Sequence, residues 1–367
     1  MARWYGPAVA DVKPFRALRY GPASEGPLDR LVAPPYDVIS PAEREELLAR
    51  SPHNVVRLTL PDSEDEAARM LAGWRRDGVL VDEEPAVWVL QQDYVGPDGV
   101  ARTRTGVVGS LRVEPYERRV VLPHERTHAG PKEGRLRLLR ATGVQLEPIF
   151  LLYDGPQALA VPDRPADLAV TSARLWRIED AGDAVAGFFA DRQLLIADGH
   201  HRYETALAFA AERGDEAAAR IPVVLVSTED PGLEIFATHR VFEHEVAVPG
   251  AGGTLGVEEA LDRLSRENGR AAAVLYRDGA ASVVRGEEGQ FDVQFVDALG
   301  HDGISYTPDW RDAVGRVDRG EAAAAVLLRP TRLDDVFAVA RRGEVLPQKS
   351  TYFFPKLVTG LLFHPVA

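Results

Sequence analysis

The segment Leu194–Leu207, LLIADGHHRYETAL, sets a short apolar run directly against the polar cluster Asp198-Gly199-His200-His201-Arg202. Tyr203, Leu207, Ala210 and Ala211 then recur at helical spacing, so a strand, a tight glycine turn and a helix start are expected in that order. Such a turn aims the backbone N–H groups of the first helical turn at one spot and adds the positive end of the helix dipole, which together make an anion site. Arg202 can add a two-pronged contact to a phosphate. His200 and His201 can supply donors or a proton shuttle, and Asp198 is the candidate contact to a divalent ion. The bland alternative is a capping aspartate beside two surface histidines; so many polar residues straight after a buried strand favour a site.

A second cluster lies in Val120–Arg137, VVLPHERTHAGPKEGRLR. His124-Glu125-Arg126-Thr127-His128 formally matches the H-E-x-x-H pattern of zinc proteases, whose chemistry needs both histidines on one face of a continuous helix. Pro123 before it and Gly130-Pro131 after it argue against that helix, and Pro131 suits the first position of the next one. A polar loop presenting Glu125 at a helix start is the better expectation. Two further segments carry polar groups that can face a ligand. Ala33-Pro34-Pro35-Tyr36-Asp37 is a stiff loop before a capped helix, and Gln348–Lys356 (QKSTYFFPK) combines Lys349, Thr351 and Lys356 with aromatics. His239-Arg240 is a further pair that can approach the site.

The order PHE (Pro123–Glu125), helix, EPIFLLY (Glu147–Tyr153), IADGHHR (Ile196–Arg202), helix and IPVVLV (Ile221–Val226) resembles the core of the ParB/sulfiredoxin superfamily, closest to its free-serine kinases. With VAPPYDVIS (Val32–Ser40) and PQKSTYFFPKL (Pro347–Leu357), the whole chain also resembles a bacterial family of unknown function. The resemblance implies that Glu125 is the catalytic carboxylate and that Asp198–Arg202 is the phosphate-binding turn. The chain has no cysteine, so sulfiredoxin chemistry is excluded, and the G-E-R-R-type turn of the CTP-binding members is absent.

The elements that must position these residues read as mixed α/β: a ParB/sulfiredoxin-like core with N-terminal and C-terminal α/β extensions. Ser40 and Glu43, and again Ser63 and Glu66, form capping boxes that open helices ending near Arg50 and Gly78. Asn54–Leu60 (NVVRLTL) reads as a strand, and Ala86–Tyr94 and Arg102–Leu111 as a hairpin closed by Gly96-Pro97-Asp98-Gly99. Strands are expected at 147–153, 193–197, 221–227, 238–246, 271–276 and 280–285, and helices at 131–142, 200–212, 256–266 and 311–318. The expected division is an N-terminal region at 1–115, the core at 116–249 with an insertion at 154–190, and a C-terminal region at 250–367 that opens on the Gly-rich stretch Gly250–Gly256.

The 367 residues are 45% hydrophobic and 27% charged, with a formal net charge of −13. That is a folded globular composition and a poor one for a dedicated duplex-DNA binder, which relies on basic phosphate contacts. No apolar run approaches the roughly 18 residues of a membrane span, and Met1–Ala10 lacks a signal-peptide layout; a cytoplasmic protein is expected. The preferred expectation is a phosphotransferase acting on a hydroxyl of free serine or a similar amino acid. ATP or ADP would be the donor and Mg²⁺ the cofactor. Glu125, His124 and His201 are the catalytic candidates. Asp198, Gly199, His200, His201, Arg202, Lys349, Thr351 and Lys356 would hold phosphate or nucleotide. The alternatives are a nucleotide-binding regulatory protein and a metal-dependent hydrolase built on His124, Glu125 and His128.

Overall fold

The computed structural model describes residues 9–125, 129–248, 252 and 254–366. Its centre is a mixed nine-stranded sheet. From one edge to the other its strands are Val121–Leu122, Leu194–Asp198, Ile149–Tyr153, Arg220–Ser227, Ala101–Arg112, Val87–Val95, Ala173–Ile178 and Leu168–Val170, with Val12–Lys13 also paired to Ala101–Arg112. Leu194–Asp198 runs parallel to Val121–Leu122 and antiparallel to Ile149–Tyr153, which in turn is parallel to Arg220–Ser227. The chain is thus mixed α/β, as the sequence pattern implies. No helix among the described residues is long and apolar enough to cross a membrane.

Ile149–Tyr153 (IFLLY) is buried at every position because both faces of the sheet are covered there. Successive side chains point to opposite faces, and two cores form accordingly. Ile149, Leu151, Tyr153, Leu194 and Ile196 pack with Val185, Phe189, Tyr203 and Ala206 of the helices Gly182–Phe189 and His200–Arg213. Phe150, Leu152, Leu195 and Ala197 face the other way, into a core shared with Phe242, Leu275, Val326, Phe337 and Phe353. That second core joins the sheet to a five-stranded one, ordered Ala280–Glu288, Arg270–Arg277, Ala324–Leu327, His239–Phe242 and Ile304–Thr307. The second sheet therefore takes in His239–Phe242, which precede the Gly-rich stretch 250–256; residues 249–251 and 253 lie outside the described residues.

After the helix Leu333–Arg341 the chain returns to the first sheet. Tyr352–Phe354 pairs with Glu234–Phe236, Thr359 bridges Ala33, and His364–Pro365 pairs with Val144–Gln145. This return carries Lys349–Lys356 back to the Leu194–Asp198 strand, a juxtaposition no local pattern specifies.

Both capped helices form where expected, as Pro41–Arg50 and Glu64–Arg76, with Ser40 and Ser63 accepting from the N–H groups of Glu43 and Glu66. The expected strand at Asn54–Leu60 is instead a helical turn, Val56–Thr59. Asn54 sets it: its side-chain oxygen accepts from the N–H of Val56 at 3.0 Å while its amide donates to the carbonyls of Arg30 and Val32. Val55, Val56 and Leu58 are all fully buried among neighbouring helices, so packing overrides their β propensity.

Candidate functional site

Leu194, Leu195 and Ile196 are fully buried, which anchors the strand end and leaves Asp198 at its rim. Gly199 follows with φ +98°, in the left-handed region. A Cβ there would come within 2.7 Å of Ile149, so both backbone conformation and space require glycine. The helix His200–Arg213 starts at once, its first internal bond running from Tyr203 N to Gly199 O at 2.9 Å. The N–H groups of His200, His201 and Arg202 therefore fall outside the helix's own ladder.

Arg202 points back under the turn. Its guanidinium donates to Asp198 Oδ2 at 2.5 Å and to the carbonyl of Pro148. Lys356 donates to the other oxygen, Oδ1. Burial pushes the Asp198 carboxyl up, but Lys356 and Arg202 outweigh it and hold the group well below the ordinary carboxylate range. The same attraction holds the Lys356 ammonium and the Arg202 guanidinium charged although burial opposes both. Two cations thus clamp one carboxylate at a helix N-terminus, where the helix dipole adds positive potential.

Glu125 stands beside this spot. It forms a parallel bridge with Leu346, and its Oε1 accepts from Ser350 N at 3.0 Å. Burial raises its carboxyl pKa, an effect the Ser350 N–H, Lys349 and Lys356 partly offset. His124 is 1% exposed. Its Nδ1 donates to Ile196 O at 2.6 Å, so its Nε2 is the acceptor for the Thr351 hydroxyl at 2.8 Å. Its backbone N–H donates to His200 Nε2 at 3.3 Å, and the two imidazoles meet edge to face at 4.8 Å. Burial lowers the His124 pKa to about 4 and His200 well below its usual value, so both are neutral rings at pH 7. His201 is half-buried on the first helical turn, and its carbonyl accepts from Thr205 Oγ1 at 2.8 Å.

The structure thus brings Glu125, His124, Asp198, His200, Arg202, Thr351 and Lys356 together. Lys349 is exposed and left-handed at φ +56°, with its charge near Glu125. The Pro-rich loop also reaches the cluster: Tyr36 N donates to Glu147 Oε1 at 3.0 Å, and the charge of Asp37 acts on Arg202 and Lys356. Arg240 lies close enough to Glu125 to feel its charge, although burial lowers the guanidinium's pKa.

The zinc-hydrolase alternative needs helical residues at 124–128. Glu125 is instead a bridge residue, and Arg126, Thr127 and His128 lie outside the described residues. Both ring nitrogens of His124 are already bonded within the protein. Asp198 fits a divalent ion no better, since each of its oxygens is ion-paired, and no cluster of three His, Asp or Glu side chains that could hold a metal occurs among the described residues.

Two site residues escape sequence reading. Glu147 is 5% exposed and accepts from Tyr36 N and Thr359 Oγ1; its only sequence signal is a carboxylate placed just before an apolar strand. Arg104 is 1% exposed and holds the returning segment through Gln92 Oε1 at 2.6 Å, Pro355 O at 2.7 Å and Phe354 O at 3.2 Å, with its guanidinium 4.3 Å from the Phe150 ring. In the sequence it reads as an ordinary solvent-facing arginine of an alternating strand.

Comparison with solved structures returns distant likenesses. A free serine kinase in complex with AMP is 17% identical with a TM-score of 0.39, covering 66% of this chain and 89% of its own. A conserved hypothetical protein from Pyrococcus furiosus is 17% identical with a TM-score of 0.37, covering 64% of this chain and 87% of its own. SbnI with a C-terminal truncation, from Staphylococcus aureus, is 13% identical with a TM-score of 0.40, covering 67% and 84%. No curated protein matches the chain. One family does, over residues 12–289, a span that takes in the anion turn, Glu125 and the whole central sheet; the chain belongs to the family described as Protein of unknown function (DUF1015).

Proposed function

We propose that the protein is a small-molecule phosphotransferase that moves a phosphoryl group from a nucleotide, ATP or ADP, to the hydroxyl of free serine or a similar amino acid. The observation that carries this reading is a shared lysine. Lys356 binds Asp198 at the anion turn and also acts on the Glu125 carboxyl, so a base and a cationic phosphate cradle lie within one electrostatic neighbourhood. In the reaction the acceptor hydroxyl oxygen attacks the terminal phosphorus and its proton passes to Glu125. The bond from that phosphorus to the bridging oxygen breaks, and the shortened nucleotide leaves. A base raised by burial is suited to that proton transfer, and the turn with Arg202 and Lys356 supplies the charge stabilisation on which phosphoryl transfer depends.

The test is to incubate purified protein with ATP or ADP, Mg²⁺ and a panel of amino acids and sugars, and to look for a phosphorylated product by mass spectrometry. Glu125→Gln should lower turnover by roughly 10²–10⁴-fold with little change in nucleotide affinity. A nucleotide-binding regulatory protein is the second reading, supported by the ion pairs that already neutralise Asp198. Nucleotide bound without any product across the panel decides for it.

A further inference from the structure

Arg202 has a second side. Away from Asp198 it forms one wall of a cavity of about 40 Å³ that Arg135, Gln145, Glu147 and Thr205 also line. A volume of that size holds roughly three water-sized groups, enough for a carboxylate, and the cavity is open on one side, so the rest of a ligand extends beyond it. Gln145 is 7% exposed, and its Nε2 has no hydrogen-bond partner among the described residues. A buried donor in that condition calls for a partner, water or ligand, because folded proteins pair nearly all such groups.

The other walls are fixed in place. Arg135 donates to Thr59 O at 2.7 Å and lies 3.9 Å from the centre of the Tyr36 ring. Glu147 is tied by Tyr36 N at 3.0 Å and by Thr359 Oγ1 at 3.1 Å. Thr205 donates to His201 O, which leaves its oxygen as an acceptor toward the cavity. Arg135, an amide donor and Arg202, whose charge is shared with Asp198, thus stand against the Glu147 carboxylate. A simple anion leaves Glu147 repelled and a simple cation leaves two arginines repelled, whereas a group carrying both charges satisfies the walls.

We propose that this cavity binds the head of an α-amino acid, its carboxylate against Gln145 and the guanidiniums and its ammonium against Glu147. As the acceptor subsite of the proposed phosphotransferase it rests on that reading for the reaction, but its binding is measurable alone. Glycine, acetate and methylammonium are titrated calorimetrically into the full chain and into Gln145→Leu and Glu147→Gln. Glycine is expected to bind, with affinity at least tenfold weaker in Gln145→Leu; Glu147→Gln should weaken glycine while strengthening acetate. Arg135→Met gives the same reading should Gln145→Leu fail to fold. No binding of glycine, or equal binding to wild type and the Gln145 and Arg135 variants, overturns the subsite. Glycine binding without a phosphorylated product from any amino acid overturns the transferase and leaves the subsite standing. Product from an acceptor lacking a carboxylate, with KM unchanged in Gln145→Leu, does the reverse.

Discussion

Lys356 reaches back across 158 residues of sequence to one oxygen of Asp198, while Arg202, one helical turn beyond the aspartate, takes the other. The local half of this arrangement is built into the turn. The distant half arrives only with the C-terminal segment, so the anion site is complete only when that segment is packed in place.

Lys356→Met should therefore cost stability as well as ligand affinity. Loss of one charge-assisted hydrogen bond, with Arg202 still paired, is worth about 1.5–3 kcal/mol. The sign with pH follows from the depressed Asp198 pKa. Its contribution is complete above the unfolded value near 4 and fades as pH falls toward the lower folded value. Denaturant melts of wild type and variant should differ at pH 7 and converge in acid.

Glu125 is expected to give the acid limb of the pH–rate profile. The base must be ionised to accept a proton, and burial raises its pKa. The limb in kcat/KM should lie above the ordinary glutamate range, with the rate rising as pH increases through it. Lys349→Ala removes a charge that lowers this pKa, so the limb should move to higher pH, by an amount that shrinks with added salt because Lys349 is exposed. A limb that stays put in Glu125→Gln assigns it to another group.

Acid should destabilise the fold through three buried histidines. Burial holds His124, His239 and His364 each at a pKa of about 4. A lowered folded pKa contributes stability that is whole above the unfolded value near 6.5 and is lost as pH falls through the folded one, on the order of 3 kcal/mol per residue. Urea melts should show stability falling from pH 6.5 toward pH 4. His364→Asn, which removes the ring bonded to Ser110 Oγ at 2.9 Å, should make that slope shallower while lowering stability at pH 7.

Arg104→Lys should release the returning segment. A lysine keeps the charge but cannot serve Gln92, Phe354 and Pro355 at once while stacking on Phe150. Burial lowers the Arg104 pKa only to about 10, so the native group is charged at pH 7. Leaving buried acceptors unpaired should cost about 2–4 kcal/mol. Lys356 follows Pro355 directly, so affinity for inorganic phosphate should fall as well, read by calorimetry on the folded variant.

The sequence by itself determined what short range can encode. The two serine caps, the strand–glycine–helix order at 194–213 and the hairpin at 87–112 need only neighbours within a few residues, and each forms. The Asn54–Leu60 segment did not announce its helix. Valine and leucine carry the same burial signal in either geometry, and the deciding bonds from Asn54 go to Arg30 and Val32. The anion turn was legible because its glycine, arginine and helix start are contiguous. Lys356 was legible as a cation that could face a ligand, but its pairing with Asp198 was not, and neither Glu147 nor Arg104 was legible, because the contacts come from strands and loops set side by side by two buried faces of one sheet. A solvent-facing arginine and a buried one look alike in a strand, since alternation specifies the face but not what will cover it. The cover is supplied by residues up to 251 positions away, and only burial of both faces decides which side chains meet.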